Sequence, residues 1–79
     1  MNNLAHLIKS AAGDKRRRTF RKLKQMFWDK VSDIMPRVEA EYEQEHGYIG
    51  DGCDYQAWME VLGMDSEVEA ENFVHDNGL

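Results

Sequence analysis

All ten lysine and arginine residues of this 79-residue chain lie at or before Arg37, whereas twelve of its fifteen aspartates and glutamates lie after it. Residues 1–37 therefore carry a net +7 and residues 38–79 a net −12, a contrast hidden in the overall charge of −5. A compact fold of such a chain must either lay the two halves against each other or present a positive and a negative surface to partners.

The length allows one domain and one apolar core, of a size that contributes only a few kcal/mol of net stability. Two Trp, three Tyr and three Phe supply enough large side chains to fold, and the composition is not that of a disordered tail. Cys53 is the only cysteine, so no intramolecular disulfide supports the core and a reducing compartment is expected. Leu4-Ala5 and Leu7-Ile8 are too short for a secretory apolar region, and no apolar run has the length of a membrane span. Cytoplasmic residence without membrane contact is the expectation.

The periodicity is helical throughout and predicts an all-α bundle of four or five short helices in a single domain, with a basic half (1–37) and an acidic half (38–79). Leu4, Leu7, Ile8 and Ala11 have helical spacing, with Asn2 or Asn3 as cap and Gly13 as stop. Asp14 is placed to cap a second helix, in which Phe20, Leu23, Phe27, Val31 and Ile34 recur at steps of three and four. Pro36 lacks an N–H and clashes with the Ser32 carbonyl in a continuous helix, which predicts a break near residue 32 and a third helix over 34–46 ended by Gly47. A kinked continuous helix is the alternative, because Val38 and Tyr42 stay in phase with the same stripe. Residues 47–53, with three glycines, read as a loop that plugs Tyr48 and Ile49 into the core. Asp54 can cap a further helix whose Tyr55, Trp58, Met59 and Leu62 share a face ended by Gly63, and Ser66 with Glu69 forms a capping box for a last helix carrying Ala70, Phe73 and Val74. The expected core is Phe20, Leu23, Phe27, Val31, Trp58 and Phe73.

On the second helix, Lys15, Arg18, Lys22, Gln25 and Asp29 project opposite the apolar stripe at about 100° per residue. Arg17, Arg21, Lys24 and Trp28 form a separate row on one shoulder. Cations repeating at one helical turn can meet successive phosphates or carboxylates, and an indole beside them can stack on a base or bury against an apolar partner. The plainer reading makes Trp28 an edge of the core, with the arginine stems lying across it. A membrane-surface helix is the weaker alternative, because the apolar face has a claimant in the chain's own aromatics. In the acidic half, Glu39, Glu43, Glu60 or Glu67 can lie against the basic helix; the sharper alternative is a carboxylate array that imitates a phosphate backbone.

Other chemistry is poorly supported. Glu43-Gln44-Glu45-His46 supplies half of a di-iron carboxylate motif and has no second copy. Cys53, His46 and His75 lack zinc-site spacing, and a calcium loop starting at Asp51 would need a bidentate carboxylate where Leu62 stands. His6 reads as a surface residue, and Ser10, Ser32 and Ser66 have no visible triad. The expectation is therefore no catalysis, no metal and no cofactor. The leading reading is a small regulatory or inhibitory protein that binds a protein partner through Arg17, Arg21, Lys24 and Trp28, by analogy with compact charge-polarised regulators of phages and plasmids. The runner-up is a nucleic-acid binder that adds Lys15, Arg16, Arg18 and Lys22, disfavoured by a pI of about 5.0. The third is the phosphate mimic.

Overall fold

The computed structural model describes residues 2–79 and contains four helices: α1 (Asn3–Gly13), α2 (Arg17–His46), α3 (Gly52–Leu62) and α4 (Glu67–Asp76). No strand occurs among the described residues. The 30 residues of α2 set the longest dimension of the molecule, 42 Å. It packs against both α1 and α3, and α4 packs against α3.

The expected break near residue 32 does not occur: α2 runs through Pro36 to His46. Phe27, Val31, Val38 and Tyr42, at steps of four, seven and four, are all buried on one face. A break would take Val38 and Tyr42 off that face and sacrifice about 1.5–3 kcal/mol for each large apolar side chain exposed. That loss exceeds the ~3 kcal/mol that a proline costs inside a helix. Ser32 and Pro36 are exposed, so water can reach the carbonyl deprived of its bond.

The first helix buries Leu4, Ala5, Ile8 and Ala11 but leaves Leu7 51% exposed. At about 100° per residue, Leu7 sits at the margin of the face centred on Leu4 and Ile8. Asn2 caps α1, its side-chain oxygen accepting from the Ala5 N–H at 3.1 Å. The same residue closes the far end of α3: its side-chain amide donates to the Val61 carbonyl at 2.7 Å and its backbone N–H to Leu62 at 3.2 Å. The Met64 and Gly63 N–H groups donate to Met59 and Glu60, so all four final carbonyls of α3 have partners. Gly63 has φ +65°, and a Cβ there would come within 3.1 Å of the Asn2 side chain, so the joint requires glycine twice over.

Two expected caps are displaced. Asp14 is the residue that ends α1, and α2 begins after Arg16 without a side-chain cap. The chain turns at Lys15, whose φ of 57° is left-handed, and the Arg16 N–H donates to the Ala11 carbonyl, which leaves Asp14 two residues before the N-cap position at Arg16. Asp54 lies inside the first turn of α3, which starts at Gly52. A Cβ on Gly52 would meet the Tyr42 hydroxyl at 2.7 Å, so glycine lets α3 approach α2 closely. Ser66 caps α4 as expected, accepting from the Glu69 N–H.

Of the expected core, Leu23, Phe27, Val31 and Phe73 are buried, while Phe20 and Trp58 pack at its edge. On α3 the innermost residues are Cys53, Ala57, Val61 and Leu62, with Tyr55, Trp58 and Met59 half-buried. Small side chains bring the α3 backbone near α2, and the large aromatics seal the rim. Tyr48 and Ile49 do not plug the core; they are 58% and 54% exposed.

Phe27 is fully enclosed, so Phe27→Ala should cost about 3–5 kcal/mol and unfold so small a domain. Pro36→Ala restores a helix bond and should raise the thermal midpoint. A lowered midpoint, measured by circular dichroism, would be incompatible with an unbroken α2.

Candidate functional site

The first two turns of α2 and the turn before them hold seven cations. Lys15, Arg16, Arg17, Arg18, Arg21 and Lys22 are exposed, and Lys24 is half-buried. Arg16 is the one tied down: it donates to the Ser10 hydroxyl at 2.7 Å and lies 3.6 Å from the Asp14 carboxylate. The other six form no ion pair with any described residue. The acidic half does not neutralise them. Of Glu39, Glu43, Glu60 and Glu67, only Glu60 reaches a cation, and that cation is Arg37, which also holds Glu41 at 3.3 Å. Glu60 first, and then Glu41, raise the Arg37 pKa above its ordinary value. The pairing sits at mid-molecule and leaves both charged ends unmatched.

Trp28, the last member of the Arg17, Arg21, Lys24, Trp28 row, is half-buried. Its ring stands edge-to-face on Phe27 at 4.9 Å and on Trp58 at 6.0 Å, and Trp58 in turn packs edge-on to Tyr55 at 5.4 Å. Its indole N–H donates to the Leu79 carbonyl at 3.1 Å. Trp28 thus ties the segment after α4 to the middle of α2, and what it offers outward is an apolar edge beneath three cations. Gln25 and Asp29, on the solvent side, bond to each other at 2.9 Å.

Sequence periodicity missed a neighbouring concavity. Where α1 meets α2, Ala11, Ala12 and Phe20 line an open groove of about 340 Å³ together with Lys15, Arg16, Arg17 and, from the end of α4, Asn77. The signal for it was the Ala11-Ala12 pair, whose small side chains leave the α2 start uncovered.

At the opposite end, Glu41, Glu43 and Glu45 are all exposed. His46 lies against the Tyr42 ring at 4.2 Å, and Tyr48 stands edge-on to Tyr42 at 5.7 Å. The Tyr48 side chain first and burial second push the Tyr42 phenol up to about 12, so it is neutral at physiological pH. Cys53 is buried, and no three His, Cys, Asp or Glu side chains among the described residues are grouped to hold a metal ion. No described helix is long and apolar enough to cross a membrane.

Searches against protein-family models, curated proteins and solved structures find no match to this chain.

Two sets of substitutions separate the charge of the row from its packing. Arg17, Arg21 and Lys24 changed together to Ala should leave the thermal midpoint within the small range of surface changes, about ±0.5 kcal/mol for each. Trp28→Ala should lower it by roughly 10–20 degrees, as about 3 kcal/mol for truncating an aromatic does at about 4–8 degrees per kcal/mol in a domain of this size. A midpoint indifferent to Trp28→Ala would remove the indole from the core edge.

Proposed function

We propose that this chain is a small, non-enzymatic regulatory or inhibitory protein that engages a protein partner through the α2 row of Arg17, Arg21, Lys24 and Trp28. The observation that carries the reading is that three cations repeat at one-turn intervals beside an aromatic edge and none is paired with the chain's own carboxylates. Charges left unmatched at a helix shoulder are available to a partner's carboxylates, and an arginine-rich rim around an aromatic edge is the composition from which interface hot spots are built.

The packing of Trp28 favours a protein over a single-stranded nucleic acid. Both an N–H engaged with Leu79 and edge contacts with two other rings hold the indole within the fold, so it is poorly disposed to stack flat on a base. The chain's net charge of −5 also opposes approach to a polyanion. The extra cations Lys15, Arg18 and Lys22 are exposed and are the residues a duplex would use. A carboxylate array that imitates a phosphate backbone would use Glu41, Glu43 and Glu45 instead.

Capture from cell extract with and without nuclease tests the reading. A protein partner should survive nuclease and be lost with Arg17, Arg21 and Lys24 changed to Ala, while Glu41, Glu43 and Glu45 changed to Gln should leave it bound. Direct titration with DNA should show no affinity at physiological salt. A complex abolished by the triple Ala change, with a log–log salt slope of about −2 to −3 for three phosphate contacts, would put nucleic acid in place of the protein. Loss of the partner on the Gln change alone, with the fold intact, would move the site to the acidic end.

A further inference from the structure

Two features lie at opposite ends of the molecule, and the second shares Arg17 with the row above. The first is the tip formed by Tyr48 and Ile49, each more than half exposed on the turn between α2 and α3. The tip is braced: the Tyr48 ring stands on Tyr42 and lies over Gly50, where a Cβ would come within 3.1 Å of it. Glu45 and Asp51 flank it, both exposed, and no lysine or arginine follows Arg37 in the chain. The second feature is the groove lined by Ala11, Ala12, Phe20, Asn77 and the cations Lys15, Arg16 and Arg17, of which Lys15 and Arg17 are unpaired with any described residue.

Tip and groove are complementary in kind: apolar centre to apolar floor, acidic flank to basic rim. They cannot meet within one molecule, because α2 holds them at opposite ends of the molecule's 42 Å length. We propose that the Tyr48-Ile49 tip of one copy seats in the α1–α2 groove of a second copy. The braced tip loses little conformational freedom on docking, which lowers the cost of association. Opposite rims favour this pairing, whereas tip against tip or groove against groove would place like charges together. The contact joins two different surfaces, so a singly joined pair keeps one free tip and one free groove unless it closes reciprocally. One tip in one groove is at the small, transient end of interfaces, below about 1,200 Å², so association belongs to high protein concentration and low salt.

Sedimentation of the full chain over micromolar to millimolar concentration, at low and high salt, tests the pairing. The wild type should gain average mass with concentration and return to monomer in high salt. Two variants leave Arg21, Lys24 and Trp28 untouched: Tyr48→Ser with Ile49→Ser removes the tip, and Ala12→Glu with Lys15→Glu fills and reverses the groove. Each alone should remain monomeric, and an equimolar mixture should form a one-to-one heterodimer and nothing larger, because one good tip then meets one good groove. If the double tip change disturbs Tyr42, Ile49→Asp, at a side chain more than half exposed, serves in its place. A wild type that stays monomeric at millimolar concentration in low salt would overturn the proposal. Folded variants that associate as the wild type does would overturn it equally.

Discussion

The architecture hangs on a single joint between residues 59 positions apart. Asn2 caps α1 with its side-chain oxygen while its two N–H donors close the last carbonyls of α3. One residue thus satisfies the unpaired groups of two helix ends, and buried helix ends without such partners cost about as much as lost hydrogen bonds. The joint places α1 alongside α2, which encloses Phe27 and Ile8. It also explains Gly63, whose left-handed turn and missing Cβ make the space in which Asn2 sits. A second tie, from Trp28 to Leu79, holds the other side of α2. The four helices are therefore fastened by a few polar contacts around an apolar core that is modest in size.

Much of this was legible because the governing effects are local. The helical periodicity of Leu23, Phe27 and Val31, the cap at Ser66 and the stops at Gly47 and Gly63 each depend on neighbours within one or two turns. What was not legible depended on distant residues. Pro36 signals a break by itself, and only the burial of Val38 and Tyr42 by another helix outweighs it. Tyr48 and Ile49 look like core residues by composition, yet the glycines around them carry the turn outward. On α3 the large aromatics drew the inward face toward Trp58, whereas close approach to α2 selected Ala57 and Cys53.

The candidate site shows the same division. Its cations could be placed on one shoulder from spacing alone, since a solvated helix face obeys little beyond geometry. Whether the carboxylates of the second half would cover that shoulder is a tertiary question, and the fold answers it by bringing Glu41 and Glu60 to Arg37, away from the shoulder. The dual attachment of Trp28 could not be anticipated either, because its partners Leu79 and Trp58 lie 51 and 30 residues away in sequence. The α1–α2 groove needs the Ala11-Ala12 pair to meet the start of α2, an arrangement of two helices that small side chains alone do not announce.

The charges at the two ends of α2 are set against its own backbone. An α-helix carries about half a positive charge at its N-terminus and half a negative charge at its C-terminus, and acids at the first and bases at the second stabilise it. Here Arg16, Arg17 and Arg18 crowd the positive pole, the first turn has no acid, and Glu43 and Glu45 crowd the negative pole. Each misplaced charge costs on the order of 0.3–1 kcal/mol at low ionic strength, an effect confined to the first and last turns. Salt screens it. Ionic strength then acts on this protein in two opposed ways: it relaxes the free molecule, whose helix ends are electrostatically frustrated, and it weakens any complex in which a ligand of opposite sign relieves the same frustration.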